Sequence, residues 1–355
     1  MRLHQTSDSL SLTSFAFRCC EFFSRRVNIF VTRRLASLGR VKHRLIATAW
    51  LTVLPAIVAS CGSGITGEPR FKWAPIDSLN ARLPDAVRVY SGFDNRWPLR
   101  AWYVRADLSS PSARGRVVMS DEPDAVETAS SLASDLGACV VVNGGFFRMD
   151  LHPARHVGLL MIDSVMVSRP TPSVLRDELR YTVARAALGF LNSGQPDIGW
   201  VSVVDSMLVE WTAPIPNRRA RPADSLARDQ AAAWPVVDAV AGGPVLISEG
   251  RIRVTDDEEV FFGSAIPKVH PRTAVGITRE GLLLLLVVDG RQMESSGVDL
   301  EDLASIMLDL GAYEAMNLDG GGSSTLVVNG VRLNIPAGSE TEREVMSAIV
   351  IQCSS

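Results

Sequence analysis

The strongest chemical signal in the sequence is the run Asn317-Leu-Asp-Gly-Gly-Gly-Ser-Ser, in which a carboxylate is followed by three glycines and two hydroxyls. Consecutive glycines let a backbone approach a ligand closely and turn its N–H groups towards an anion. Asp319, just before the glycines, can act as an acid, a base or a metal ligand. A tight hairpin needs one glycine or two, so the pattern predicts a functional loop rather than a simple turn.

Further candidates stand beside apolar runs elsewhere in the chain. Arg272 precedes one such run and can clamp a phosphate or a carboxylate through two parallel hydrogen bonds, although a structural salt bridge stays open. Asp289-Gly-Arg291 ends the apolar run LLLLLVV, where sheet proteins often place site residues. Asn143-Gly-Gly-Phe-Phe offers an amide and two aromatic rings, which can belong to the core or stack on a sugar.

Metal-binding signals are weak. His152 and His156 are four residues apart, but Pro153 between them argues against the helix on which such a pair would bind zinc. The sequence has no Walker loop, no G-x-S-x-G elbow and no C-x-x-C motif. We therefore predict that the protein uses no cofactor, while a divalent ion held by Asp289 and Asp319 stays open.

Two similar segments predict how these residues are positioned. DLGACVVVNGG (135–145) and DLGAYEAMNLDGGG (309–322) each follow a predicted helix and lead through a buried strand to an Asn-containing, glycine-rich turn. The first helix is predicted from Asp124, in a capping box with Glu127, to Leu136, and the second from Asp299 to Leu310. A duplicated strand-helix-strand half-fold would bring the two turns to one cleft.

The remaining pattern predicts an α+β fold with a mixed β-sheet core and packed helices, formed by residues 84–355. AVRVYSGF and LRAWYVRADL alternate apolar and polar residues, as half-buried strands do, whereas LLLLLVV reads as a central strand. Residues 214–233 carry Arg218, Arg219 and Arg221 and are predicted to form a mobile loop, either solvated or acting as a lid.

The N-terminus reads as an export signal. Residues 45–60 are uncharged and mostly apolar, too short for a typical membrane span, and follow the basic residues Lys42 and Arg44. Val58-Ala-Ser-Cys61 resembles a bacterial lipoprotein signal, in which the cysteine is lipidated. We predict a leader over 1–60, of which 41–60 is the signal and 1–40 reflects a start assigned too early, and a tether over 61–83. A plain signal peptide and an uncleaved anchor stay open.

The distribution of charge bears on the class of partner, and the cysteines bear on the redox compartment. The net charge is −3, but nine basic and two acidic residues lie in 1–44, so the rest of the chain is strongly acidic. The acidic charge of the chain after residue 44 argues against nucleic acid as the partner. Cys139 and Cys353 can pair in an oxidising compartment, although their apolar neighbours favour free, buried thiols.

The motifs taken together resemble the phosphodiester glycosidase family over roughly residues 84–353. Each alone would be weak, but their order and spacing are specific, and a closing N-x-P…E-R-x-V pattern over 334–345 agrees with them. The motifs that carry the resemblance are NGGFF (143–147), AGGPVLI (241–247), PRTAVGI (271–277), VVDGR (287–291), SGVDLEDLA (296–304) and NLDGGGSST (317–325).

The resemblance implies an exported hydrolase that releases the sugar from a sugar-1-phosphodiester of the N-acetylglucosamine-1-phosphodiester kind, leaving a phosphomonoester. Together with the lipoprotein-like signal, it predicts a periplasmic or cell-surface protein that reaches the membrane through lipid on Cys61. The acidic charge predicts no nucleic acid partner, and the oligomeric state stays open. We expect Asp319 as the central catalytic carboxylate, with Glu342 or Asp289 as its partner. The substrate- and phosphate-binding positions that the resemblance implies are Asn143, Gly144, Arg272, Thr273, Arg291, Asn317, Gly320, Gly321, Gly322, Ser323 and Arg343.

Two other functions stay open at this level. A metal-dependent phosphodiesterase would cut the P–O bond instead of the sugar's C–O bond. A non-catalytic surface lipoprotein would bind envelope glycan without turning it over. The acidic and arginine residues present at each motif favour an enzyme over the second alternative.

Overall fold

The computed structural model describes residues 71–94, 97–224, 228–338 and 341–354. The predicted leader over 1–60, the lipidation site Cys61 and the tether up to residue 70 lie outside the described residues. The ordered fold reaches ahead of the predicted boundary at residue 84, because a strand at Lys72–Pro75 already pairs with Tyr90–Phe93.

The predicted α+β fold with a mixed sheet and packed helices is wrong. Of the described residues, 45% lie in strands and 11% in helices, and one of the sheets curls as a half-barrel. In the described ranges the paired strands run antiparallel. In chain order the strands are β1 (Lys72–Pro75), β2 (Val87–Asp94), β3 (Leu99–Ala106), β4 (Ala113–Met119), β5 (Val140–Asn143), β6 (Phe147–Arg148), β7 (Arg155–His156), β8 (Leu160–Ile162), β9 (Val165–Ser168), β10 (Ser173–Arg176), β11 (Leu179–Thr182), β12 (Arg185–Leu191), β13 (Pro196–Val204), β14 (Met207–Trp211), β15 (Ala231–Ala233), β16 (Val236–Ala241), β17 (Val245–Ser248), β18 (Arg251–Ile252), β19 (Arg272–Thr278), β20 (Leu283–Val288), β21 (Ala312–Asn317), β22 (Leu326–Val328), β23 (Val331–Arg332) and β24 (Ser347–Cys353).

Three α-helices occur in the described part of the chain: α1 (Asp77–Asn80), α2 (Ala129–Leu136) and α3 (Leu300–Asp309). Helix α3 agrees with its prediction, and Asp299 caps it by accepting a hydrogen bond from the N–H of Asp302 at 2.9 Å. Helix α2 begins five residues after the predicted start, because Ala125 has a φ of +66° that a right-handed helix cannot include. None of these helices is long and apolar enough to cross a membrane.

Three larger sheets build the fold. The eight-stranded sheet has the order β1-β2-β3-β20-β19-β21-β17-β18, the seven-stranded sheet the order β15-β14-β13-β12-β16-β8-β9, and the five-stranded sheet the order β23-β22-β5-β24-β4. Short 3₁₀ turns occur at Arg228–Gln230, Gly321–Ser323 and Pro336–Gly338. Two-stranded pairs, β6-β7 and β10-β11, lie outside the larger sheets.

Strand β20 explains why the fold class was mispredicted. Its residues alternate between two hydrophobic cores: Leu283, Leu285 and Val287 pack in one, and Leu284, Leu286 and Val288 in the other. The second core is closed by α3, but the first is closed by strands of the other two sheets. An apolar run therefore marks a strand covered on both faces, and the covering layer here is largely a second sheet rather than a helix.

The two similar segments lie in different sheets but meet at their turns. Strand β5 ends at Asn143 within the five-stranded sheet, and β21 ends at Asn317 within the eight-stranded sheet. The Asn143 Nδ2 donates to the backbone oxygen of Asp319 at 2.8 Å, which joins the two turns. The helix-strand-turn pattern thus recurs locally, and it serves to bring two sheets together at one place.

The stretch 214–233, predicted to be mobile, is partly ordered by the fold. Strand β15 lies within it and pairs with β14, which precedes it, and Arg218 forms a salt bridge to Glu258 at 2.6 Å. None of the three arginines predicted there, Arg218, Arg219 and Arg221, lines the cavity that contains Asp319. A role as a lid over that cavity stays a prediction.

A disulfide joins Cys139, just before β5, to Cys353 at the end of β24, with a Cα–Cα distance of 5.7 Å. The apolar flanks of these cysteines had favoured free thiols. The bond closes the five-stranded sheet across 214 residues of sequence, because β5 and β24 are neighbours in that sheet.

Candidate active site

A cavity of about 190 Å³ opens where the turn after β21 meets the segment before β19. Asp319 and the three glycines form one wall, and arginine side chains from three separate segments surround them. The cavity is lined by Phe146, Ala265, Ile266, His270, Arg272, Arg291, Asn317, Leu318, Asp319, Gly320, Gly321, Gly322 and Arg343. The turn after β21 that was predicted to be functional therefore borders a real cavity.

The glycine loop uses some of its amides internally. Gly320 donates to the Asp319 Oδ1 at 2.9 Å, and Gly321 donates to the backbone oxygen of Pro271 at 2.9 Å. Gly321 has a φ of +65°, a conformation that favours glycine. Two of the N–H groups that were expected to face an anion thus hold the loop in shape instead.

What the glycines provide is room for two guanidinium groups. A Cβ on Gly322 would stand 2.7 Å from the Arg343 Cζ, and one on Gly321 would stand 3.4 Å from a terminal nitrogen of Arg291. Both arginines are solvent-exposed, and among the described residues neither forms a salt bridge with a carboxylate. Their charge is therefore available to an anionic ligand.

Asp319 is the carboxylate of the cavity. Burial raises the pKa of Asp319 to about 6, against the opposing effects of hydrogen bonds from Ser323 and Gly320 and of the Arg343 charge. Near neutral pH the carboxylate is mostly ionised yet close enough to its pKa to exchange a proton. This is the condition in which a side chain serves as a general acid or base.

Phe146 supplies an apolar surface beside these charges. It lines the cavity and stands 6.0 Å from the ring of Phe261, whereas Phe147 packs against a hydrophobic core. The NGGFF motif thus divides its two aromatic rings between the cavity and the core.

His270 lines the cavity and is a residue that the sequence analysis missed. Its Nε2 lies 2.8 Å from the backbone oxygen of Ala265, and its Nδ1 lies 2.9 Å from a terminal nitrogen of Arg291. The only available signal was its place two residues before Arg272, which is too short to point to a function by itself.

Arg272 is less available than its predicted role as a phosphate clamp requires. It is 2% exposed, its Nε donates to the Val298 oxygen at 3.0 Å, and a terminal nitrogen donates to the oxygens of Ile266, at 2.7 Å, and Lys268. Burial lowers the pKa of Arg272 to about 10. One terminal nitrogen of Arg272 therefore fixes the segment before β19, which carries His270.

Asn143, Asn317 and Thr273 form a buried network under the loop. The Asn143 Oδ1 accepts from the Thr273 hydroxyl at 2.7 Å, and the Asn317 Nδ2 donates to the Gly243 oxygen at 2.9 Å. Gly144 packs against β24, where its N–H donates to the Ser347 oxygen at 2.8 Å. Of these predicted binding residues Asn317 lines the cavity, and the observed contacts of all of them position the strand ends that carry it.

Asp289, predicted as a catalytic partner, does not line the cavity. It is 3% exposed and accepts a hydrogen bond from the Asn334 Nδ2 at 2.9 Å, and burial raises its pKa. Asn334 also donates to the Ser324 oxygen at 2.7 Å. Asp289 and Asn334 therefore brace the loop that follows the glycines.

Glu342, the other predicted partner, is not a cavity residue either. One carboxylate oxygen accepts from the N–H of Ser130 at 2.9 Å and the other from the Ser130 hydroxyl at 2.6 Å. Glu342 thus binds the first turn of α2, where a negative charge is stabilising. This contact anchors the segment that presents Arg343.

The placement of the His, Cys, Asp and Glu side chains gives little support to a bound metal. In the part of the chain that the structure describes, no three His, Cys, Asp or Glu side chains form a metal-binding group. Asp289 and Asp319, the pair considered for a divalent ion, have separate partners. His156 is buried away from His152, which is exposed, and burial lowers the pKa of His156 to about 4.

The fold and the site together define a mainly antiparallel β protein with one carboxylate and several guanidinium groups around a small cavity. The model of the phosphodiester glycosidase family matches residues 136–352, more than half of the chain. The chain belongs to the phosphodiester glycosidase family. The resemblance inferred from the motifs is thereby confirmed.

Named relatives of the chain are hydrolases, and the match to each is partial. The chain is 38% identical over 104 residues to the N-acetylglucosamine-1-phosphodiester alpha-N-acetylglucosaminidase of Bos taurus and 36% identical over 104 residues to that of Homo sapiens. Each match covers 29% of this chain and 20% of the relative, so the chain matches about a fifth of the length of these relatives.

Solved structures show the same fold. The catalytic domain of the zebrafish N-acetylglucosamine-1-phosphodiester alpha-N-acetylglucosaminidase, auto-inhibited by its pro-peptide, matches with a TM-score of 0.54 and 20% identity over 81% of this chain and 85% of that one. A hypothetical protein from Synechocystis matches with a TM-score of 0.53 and 20% identity over 76% of this chain and 62% of that one.

Proposed function

We propose that this protein hydrolyses a sugar-1-phosphodiester, of the N-acetylglucosamine-1-phosphodiester kind, to the free sugar and a phosphomonoester. The observation that carries the proposal is the placing of Arg291 and Arg343, neither paired with a carboxylate in the described structure, on the glycines that follow Asp319. A phosphodiester carries one negative charge, which two guanidinium groups attract and orient. The names of the relatives point to the same substrate class.

The reaction follows from these residues. A water oxygen attacks the anomeric carbon and loses a proton to Asp319, while the bond from that carbon to the bridging oxygen breaks. The bridging oxygen and its electron pair leave with the phosphate, which changes from a monoanion to a dianion. Because this charge grows in the transition state, Arg291 and Arg343 bind the transition state more strongly than the substrate.

One carboxylate suffices in this scheme. An ordinary glycosidase needs a second carboxyl group to protonate a poor leaving group. A phosphomonoester has a second pKa near 6 and leaves without protonation at neutral pH. Neither Glu342 nor Asp289 is therefore needed as an acid, and Phe146 offers an apolar face to the sugar ring.

We also propose that the protein is exported and held at the membrane by lipid on Cys61. The Cys139–Cys353 disulfide supports an oxidising compartment, since such bonds are rare in the cytosol. The signal-like sequence before Cys61 supports the lipid anchor. Replacement of Cys61 by serine should release the protein from the membrane fraction, and a soluble, unlipidated wild-type protein would contradict the anchor.

Assay of the purified protein with methyl N-acetylglucosamine-1-phosphate, with and without a chelator, tests the proposed reaction. We expect release of N-acetylglucosamine and methyl phosphate that is insensitive to the chelator. Turnover that a chelator abolishes and a divalent ion restores would favour the metal-dependent phosphodiesterase. Saturable binding of sugar phosphodiesters with no turnover would favour a glycan-binding protein.

A further inference from the structure

The two nitrogens of His270 have fixed and different roles. The Ala265 oxygen can only accept a hydrogen bond, so the Nε2 that lies 2.8 Å from it carries the proton. In the neutral ring the Nδ1 is then an acceptor, and the terminal nitrogen of Arg291 at 2.9 Å donates to it. The surrounding contacts therefore select one tautomer of a neutral imidazole.

Other cations keep His270 neutral. Burial and the nearby charges of Arg272, Arg291 and Lys268 lower the pKa of His270, while its hydrogen bond to the Ala265 oxygen opposes them. A proton on Nδ1 would remove the acceptor that Arg291 uses and add a like charge beside it. The contact between the two side chains thus depends on the neutral ring.

Arg291 needs such a contact. The Arg291 side chain is exposed, and its backbone has a φ of +58°. In the described part of the chain, no salt bridge holds its guanidinium in place. A long, exposed arginine otherwise samples many rotamers, and ordering it on ligand binding weakens affinity. Its only described side-chain hydrogen bond goes to His270, and this bond holds the guanidinium against Gly321.

We propose that His270 is a positioning residue that holds Arg291 over the glycine loop in the orientation that binds the phosphate group of the substrate. The inference rests on the proposed function for its substrate, but the binding of an anion can be measured without turnover. His270 itself contributes no charge and transfers no proton in this role. Its effect is expected on the binding of the phosphate group, in the substrate and, through Arg291, in the transition state.

A double-mutant cycle between His270 and Arg291 tests this role. The variants are His270→Phe, Arg291→Ala and their combination, with the affinity for inorganic phosphate measured by calorimetry. We expect His270→Phe to weaken phosphate binding about tenfold, the effect of one hydrogen bond to a charged group. In the Arg291→Ala background the same change should have almost no effect, because the group it positions is gone.

Two further variants separate positioning from folding. His270→Gln keeps a donor for Ala265 and an acceptor for Arg291 and should recover most of the phosphate affinity. His152→Gln, at an exposed histidine outside the cavity, should bind phosphate like the wild type. With methyl N-acetylglucosamine-1-phosphate, His270→Phe should raise KM about tenfold and lower kcat by a smaller factor, because Arg291 also stabilises the charge that grows in the transition state.

The outcomes distinguish this inference from the proposed function. Additive effects of His270→Phe and Arg291→Ala on phosphate binding would overturn the positioning role, even if the enzyme turns over its substrate. Coupled effects without any turnover of the diester would leave the positioning role intact and contradict the proposed reaction. A large fall in kcat with unchanged KM for His270→Phe would show instead that His270 takes part in the chemical step.

Discussion

At the scale of single residues, Asp319 combines charge, burial and hydrogen bonds in a way that suits a general base. Burial favours its protonated form, whereas Ser323, the Gly320 amide and Arg343 favour the carboxylate. The balance leaves a pKa of about 6. The carboxylate is therefore present at neutral pH but weakly stabilised, which is what abstraction of a proton from water requires.

Replacement of Asp319 by Asn should leave the fold intact and slow turnover by roughly 10²–10⁴-fold, the usual contribution of a placed acid–base group. In the wild type, kcat/KM should fall as pH falls through about 6, because protonation removes the base. The measurement is a pH profile of hydrolysis for both proteins. An Asp319→Asn variant with normal turnover would remove Asp319 from the mechanism.

Asp319 should also weaken the fold at neutral pH. Its pKa in the folded state, about 6, lies above the ordinary value of 3.8, so the folded state binds more protons between these values. As far as Asp319 is concerned, the free energy of unfolding is therefore highest at low pH, where its carboxyl is protonated in both states. It falls by at most about 3 kcal/mol as the pH rises through 6. Asp319→Asn should raise Tm relative to the wild type at pH 8 and have little effect at pH 4. An equal shift of Tm at both pH values would contradict the raised pKa.

At the scale of elements, the turn after β21 acts as a platform for two arginines. Gly322→Ala would put a Cβ 2.7 Å from the Arg343 Cζ and push that guanidinium away. We expect KM to rise about tenfold with a nearly unchanged Tm, measured by steady-state kinetics and thermal unfolding. The matched control is the same change in an Arg343→Ala background, where it should add little. An undiminished effect there would show that Gly322 acts through its own backbone.

Helix α2 and the segment 341–344 are joined through Glu342. Glu342→Gln keeps an oxygen for Ser130 but removes the charge at the helix N-terminus, so we expect a loss of about 1 kcal/mol of stability. A modest rise in KM through Arg343 should accompany it, with turnover nearly unchanged. Thermal unfolding and kinetics of one preparation measure both. A hundredfold or larger loss of turnover would restore Glu342 to the catalytic role expected from the sequence.

The local elements could be predicted from the sequence better than the contacts between them. Periodicity and glycine chemistry, which are local, predict the limits of α3, the end of α2 at Leu136 and the strands β5, β20 and β21. Which element packs on each face of a strand is not a local property. The central position of β20 could therefore be predicted, but not that a second sheet covers one of its faces. The same limit explains Glu342 and Asp289, whose acidic side chains fit catalysis but are held by Ser130 and Asn334.

At the scale of the whole molecule, the eight-stranded and five-stranded sheets meet at one cavity, and a disulfide closes the smaller of the two. The two Asn-containing turns come from different sheets, which is why residues 176 positions apart, Asn143 and Asp319, form a hydrogen bond. A site assembled in this way depends on the packing between sheets as well as on each loop. The repeated helix-strand-turn pattern predicted that the two turns meet, but it did not predict which sheets bring them together.

Removal of the disulfide should destabilise the molecule without abolishing its fold. Replacing Cys139 and Cys353 together by alanine should lower the free energy of unfolding by about 2–4 kcal/mol, the usual effect of a bond that closes a long loop. Denaturant unfolding of the variant and of the oxidised wild type measures the difference. An unchanged midpoint in denaturant would mean that the bond contributes nothing to stability.

In the proposed reaction, Asp319 directs water to the anomeric carbon while Arg291 and Arg343 hold the departing phosphate. Hydrolysis of methyl N-acetylglucosamine-1-phosphate in ¹⁸O-labelled water, followed by mass spectrometry of both products, tests it most directly. A brief reaction time limits exchange of label into the free sugar, and unlabelled sugar incubated in the same water corrects for it. We predict one ¹⁸O in N-acetylglucosamine and none in methyl phosphate. Label in methyl phosphate would show cleavage of the P–O bond and contradict the account.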